Sequence, residues 1–137
     1  MNASEYRRWI DDAESELESA RILLEGVTPK TITHGIGANI VELCQQAVEK
    51  CAKATFLKRN AGERQPKKHS LVLLFEIAGL VEEAPRHVID FVNEMDKTYP
   101  HIRYPNSSVL IFLTDLKQIK EIYRQSKAVF EWITSQG

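Results

Sequence analysis

Residues 34–58 read HGIGANIVELCQQAVEKCAKATFLK, and the fold turns on how this stretch is read. It is long, free of proline and helical in period. Placed at about 100° per residue, Glu42, Gln45, Gln46, Glu49, Lys50 and Lys53 fall within an arc of roughly 140°. Ile36, Ile40, Leu43, Cys44, Ala47, Val48, Cys51, Ala54 and Thr55 take most of the remaining circumference. A helix apolar over more than half its surface must be covered on two sides, so other helices pack around it. Small Ala47, Cys51 and Ala54 permit a close approach. By pattern alone, the polar strip is solvated surface.

Upstream, Ser4 can cap a first helix whose apolar face is Tyr6, Ile10, Ala13, Leu17, Ala20 and Leu24, ending about Gly26. Acidic residues at 11, 12, 14, 16 and 18 lie mostly on its other faces, which marks a solvated surface rather than a metal site. Trp9 belongs to the core edge. Gly26 to Thr33, with Pro29, is a short connection.

Downstream, NAGERQPKKHS (60–70) is a polar loop and the most basic local stretch of the chain. Ser70 can cap a short apolar helix, LVLLFEIAGL, that ends near Gly79. Pro85 suits the first turn of a fourth helix carrying Val88, Ile89, Phe91, Val92 and Met95. The run DKTYPHIRYPNSS (96–108) holds two Tyr-Pro pairs and precludes continuous helix. From about Val109 to Thr134, Phe112, Leu116, Ile119, Tyr123, Ser126, Phe130 and Ile133 repeat in near-heptad spacing, widened by Ile122 and Val129. The expectation is all-α: one domain over 1–137, an up-and-down bundle of four main helices with an extra short helix.

The 137 residues suffice for one real core. With 27% charged residues and a net charge of −1, the chain has no global attraction to nucleic acid or anionic membranes. Any RNA or phosphate contact needs a local basic patch. Cys44 and Cys51 are about 10 Å apart along one helix, beyond disulfide reach, and read as reduced core residues. The chain opens straight into a polar amphipathic segment and has no long apolar run, so a cytoplasmic location is expected.

The histidines at 34, 69, 87 and 101 form no His-x3-His or Glu-x-x-His pairing, and there is no Cys-x2-Cys. Neither a metal nor a cofactor is called for. Phosphate-loop and dinucleotide-binding glycine patterns are absent. Two loops remain. In the first, Arg64, Lys67 and Lys68 set fixed positive charge beside His69, which is what metal-free RNA cleavage needs: an acid/base group and a cation for charge developing on phosphate. The plainer reading, which the composition favours, is a solvated turn with His69 starting a helix. In the second, Arg103 beside Tyr104 could bind a phosphate and stack a base. Equally, Tyr104 and Pro105 could dock the loop while Arg103 pairs with Glu49.

Four pieces in order resemble the HEPN domain family (higher eukaryotes and prokaryotes nucleotide-binding). They are the acid- and alanine-rich Ala13 to Ala20, the Cys44-Gln45-Gln46-Ala47-Val48-Glu49-Lys50 core with Lys53 following, the Lys68-His69-Ser70-Leu71 entry to the third helix, and Arg103-Tyr104-Pro105-Asn106. The resemblance implies a four-helix bundle, often a homodimer. It also implies that such proteins in prokaryotes are commonly encoded beside a minimal nucleotidyltransferase, in a pair resembling toxin and antitoxin. Many members are metal-independent ribonucleases with an Arg-x4-6-His motif near the start of the last long helix. Here residues 104–110 contain no histidine. Arg64 and His69 have Arg-x4-His spacing but precede the third helix, so that match reads as coincidence.

The resemblance therefore implies the non-nuclease branch, with no catalytic residues. Gln45, Gln46, Glu49 and Lys53 lie along one strip, and a loop carrying Arg103 and Tyr104 could fold over it. Together they would make a groove for a nucleotide's phosphate and base, or for a partner's surface, with Arg103 and Lys53 holding the phosphate. A ribonuclease toxin using Arg64 and His69 is the alternative, and RNA is then the ligand.

Overall fold

The computed structural model describes residues 3–67, 69–98 and 113–136. Five helices follow in order: α1 (Ala3–Glu25), α2 (His34–Arg59), α3 (Leu71–Ile77), α4 (Arg86–Thr98) and α5 (Leu116–Ser135). The fold is all-α, and no strand occurs among the described residues. α2 is the central element, packed against α1, α5 and α3, while α4 closes the bundle on α3 and α5.

The sequence explains the centre. Ala13 and Ala20 of α1 and Ala47, Cys51 and Ala54 of α2 are all fully buried, and their small size lets the two helices run close together. Ile40, Phe75, Leu71, Leu74, Ile119 and Ile133 fill the larger spaces. Burying each of these side chains contributes about 1.5–3 kcal/mol against the conformational entropy lost on folding. Lys58 lies over the ring of Tyr6, 4.7 Å from its centroid, and adds a cation–aromatic contact between α1 and α2.

Ends are set by local chemistry. The Thr33 hydroxyl caps α2 by accepting from Ile36 N at 3.2 Å. α3 stops at Gly79, whose φ of +74° suits glycine, and Leu80 N returns to Phe75 O at 2.8 Å. Arg59 then donates to the carbonyls of Ala78 and Gly79 at 3.0 and 3.2 Å and pairs with Glu83 at 2.9 Å. The end of α2 thereby satisfies carbonyls that the end of α3 leaves open.

Four boundaries differ from the sequence expectation. α1 is already helical at Ala3, so Ser4 lies inside it rather than capping it. α4 continues through Asp96 to Thr98, because the first proline is Pro100 and only the residues beside it are barred from the helix. α5 starts at Leu116 rather than about Val109. Asp115 is its N-cap, accepting from Gln118 N at 3.3 Å, and Leu113 and Thr114 form a tight turn ahead of it. Residues 109–112 of the expected helix lie outside the described residues. Pro85 falls just outside α4 and supplies its carbonyl to Val88 N and Ile89 N.

The acidic face of α1 also departs from the solvated surface expected of it. Lys50 of α2 reaches across to Asp12 at 3.1 Å and to Glu16, which is largely covered. No described helix is long and apolar enough to cross a membrane.

Candidate functional site

Gln45, Glu49 and Lys53 recur every four residues, so they stand in a row on α2 about 12 Å long. They form no uniform solvated strip. Gln45 is 1% exposed and Lys53 4% exposed, whereas Gln46 and Lys50 are half-buried. The Lys53 ammonium donates to Glu49 Oε2 at 3.3 Å. Glutamate one turn before lysine is the favourable order on a helix. The ammonium has three donors and this one acceptor among the described residues, so its capacity is far from filled.

The other oxygen of Glu49 meets His69 Nδ1 at 3.3 Å. The Glu49 carboxylate thus bridges a buried cation of its own helix and an imidazole from the loop that enters α3. The His69 side chain is 66% exposed. Gln45 completes the row differently: neither atom of its buried amide has a hydrogen-bond partner among the described residues. An amide left without partners costs about 1–3 kcal/mol; Glu16 Oε2 and Ser126 Oγ are in the same state among the described residues.

The remaining expected site residues divide. Gln46 turns along the outer face and donates to Glu42 Oε1 at 3.4 Å. Arg64 is exposed and makes no hydrogen bond or ion pair among the described residues, so the structure does not join it to His69. Arg103 and Tyr104 lie outside the described residues, as does Lys68. The expected Glu49–Arg103 pair lies there too, and Glu49 has both oxygens engaged by Lys53 and His69.

Sequence patterns keep His69 and the α2 strip apart as rival sites, and the structure puts them on one carboxylate. No local spacing could show this, because His69 and Glu49 are 20 residues apart. Nor do the patterns single out Asp96, whose carboxylate accepts from Ser70 Oγ, Leu71 N and Val72 N at 2.8, 2.7 and 3.0 Å.

Chemically, the row offers an ammonium and an amide with hydrogen-bonding capacity unused among the described residues, and a carboxylate–imidazole pair. These can hold an anion, read a polar edge and move a proton. The cysteines offer nothing comparable. Burial pushes the Cys44 thiol up to about 12, with Ser126 pulling only slightly back, and burial raises Cys51 still further. Among the described residues, no three His, Cys, Asp or Glu side chains come together as metal ligands would.

The sequence pattern of the HEPN domain matches residues 6–136. The crystal structure of an archaeal HEPN homologue superposes with a TM-score of 0.68 at 21% identity, covering 96% of each chain. The crystal structure of a protein from Thermus thermophilus gives a TM-score of 0.71 at 22% identity, over 96% of this chain and 98% of that one. At such identities these two similarities speak for the fold alone. No curated protein sequence matches the chain significantly.

Proposed function

The chain belongs to the HEPN domain family, and on that premise we propose that it is a non-catalytic subunit that binds a nucleotide-like ligand or a minimal nucleotidyltransferase through the α2 row, in a pair of toxin–antitoxin type. The observation that carries this reading is the row itself: a buried lysine with unused donors beside a buried amide with no partner among the described residues. Both are costly to keep, and a ligand or partner that satisfies them would offset that cost. An anion would take the Lys53 donors that have no acceptor among the described residues, or displace Glu49, so binding and the Glu49 pair are linked. Arg103 and Tyr104 join the reading through the sequence resemblance. Family resemblance likewise supplies the homodimer, for which sedimentation velocity is the direct measure.

A second reading has one observation in its favour. Glu49 holds His69 by Nδ1, the arrangement in which a carboxylate orients an imidazole for acid/base work at its other nitrogen. That is the chemistry of a metal-independent ribonuclease, although the Arg-x4-6-His motif is absent after Arg103.

One experiment separates the two. The tagged chain is recovered from its native host, its companions are identified by mass spectrometry, and the same eluate is assayed for RNA cleavage without metal. Recovery of a nucleotidyltransferase in near-equal amount, with no cleavage by this subunit, is the expected result. Recovery of the chain alone, with cleavage lost in His69→Ala, would overturn it in favour of the ribonuclease.

A further inference from the structure

We infer that Asp96, at the end of α4, is a positioning residue for the α2 row: it fixes the backbone that aims His69 at Glu49. The inference takes from the proposed function only the premise that this row is the working surface.

Asp96 binds the start of α3 from outside it. Its Oδ1 takes Leu71 N at 2.7 Å, and its Oδ2 takes both Val72 N at 3.0 Å and Ser70 Oγ at 2.8 Å. The Ser70 hydroxyl oxygen meanwhile accepts from Leu73 N at 3.2 Å, and Ser70 O accepts from Leu74 N. Every amide of the first turn of α3 therefore has a partner, and two of those partners are oxygens of one ionised carboxylate. Hydrogen bonds to a charged acceptor are the stronger kind.

The residue just before this turn is His69. Its ring is mostly in solvent, so packing does not hold it. On its other side, Arg64, Gln65 and Lys67 make no hydrogen bond or ion pair among the described residues. Among the described residues the loop thus arrives without a polar tether, and its first hydrogen bonds there are made at 69–72. Leu71 is anchored there by its buried side chain, and the backbone amides of Leu71 and Val72 are held by Asp96, 26 residues away in sequence from Ser70. The 3.3 Å contact of His69 with Glu49 is at the long end of hydrogen-bond distance, so the backbone that carries the ring shares in aiming it. α4 consequently helps set where the imidazole of His69 meets the Glu49 carboxylate of α2.

The test uses the full chain without partner. Long-range proton–nitrogen spectra report the ring nitrogens of His69, identified by their loss in His69→Ala. In Asp96→Ala the His69 signals are expected to leave their wild-type positions and move toward those of Glu49→Gln, where the contact is broken on the other side. Asp96→Asn keeps an acceptor oxygen without the charge, and is expected to return them part of the way. If the variants fold and the His69 signals stay at their wild-type positions, the inference is overturned. Should Asp96→Ala not fold, Asp96→Asn decides by the same signals.

A second arm measures capture of the co-purified nucleotidyltransferase by Asp96→Ala, His69→Ala and the double variant. If Asp96 acts through His69, the double variant captures as weakly as His69→Ala and no more so. Additive losses would overturn the inference. If His69→Ala leaves capture unchanged, His69 is no part of the capturing surface and the proposed function stands on Lys53 and Gln45 alone, while the spectra still judge Asp96.

Discussion

Lys53 shows how much a single side chain can commit a surface. Its ammonium is almost wholly covered and faces Glu49 at 3.3 Å. Removing one member of a buried pair strands the other, so Lys53→Met is expected to destabilise the chain by about 3 kcal/mol in urea denaturation. Adding Glu49→Gln should restore much of that loss, since two neutral groups replace two charges, while the His69 contact is weakened in the same protein. Glu16 offers a separate test. Burial pushes its carboxyl above the ordinary value, and the hydrogen bond and charge of Lys50 pull it only part of the way back. A raised acid binds its proton more tightly in the native state than in the unfolded chain. Its contribution is fully present below the unfolded carboxyl value and is lost as pH rises through the raised native one. In Glu16→Gln that loss disappears, so the gap between variant and wild-type urea midpoints should shift in the variant's favour as pH rises from about 4 to 7. A constant gap would show that the Glu16 carboxyl titrates alike in both states.

α3 was readable because it announces its ends chemically. Ser70 and Gly79 bound α3 as their chemistry suggests, whereas Thr33 caps α2 without having stood out in the sequence and Ser4 lies inside α1. The start of α5 was not readable in the same way. Near-heptad spacing carried the expected helix back to Val109, because periodicity counts apolar residues and does not see a cap. Asp115 is that cap, bonded to Gln118 N at 3.3 Å and to the Gln118 side chain at 3.0 Å. Asp115→Ala should cost about 1 kcal/mol of stability, with the first turn of α5 losing amide protection in hydrogen exchange before the rest of the helix. Uniform loss along α5 would mean that the cap does not define its start.

At the scale of the molecule, two close approaches hold the bundle in register. The first is Gly37, near the start of α2, where an added Cβ would stand 1.9 Å from Leu113 O. Backbone leads into α5 directly over that glycine. Gly37→Ala is therefore expected to lower stability by about 2 kcal/mol or more, despite the alanine's better helix propensity, with α2 and α5 affected together in hydrogen exchange. A stabilised variant would show that the two segments stand further apart. The second is the α4–α3 contact through Asp96, which fixes the loop that brings His69 to α2.

The sequence by itself determined the all-α class, the central place of α2 and most of the core, because apolar residues at helical period can be buried in few ways. It also carried the family through four short pieces in fixed order. It could rank Gln45, Glu49 and Lys53 as a row, since helical spacing alone puts them there. Only the tertiary structure decided that Gln45 and Lys53 are covered, that Glu16 is drawn from the surface by Lys50, and that His69 shares Glu49 with Lys53. Those are contacts across 20 to 38 residues of chain, made by separate helices meeting. Local periodicity fixes which face of a helix a residue occupies, and packing alone fixes what stands opposite it.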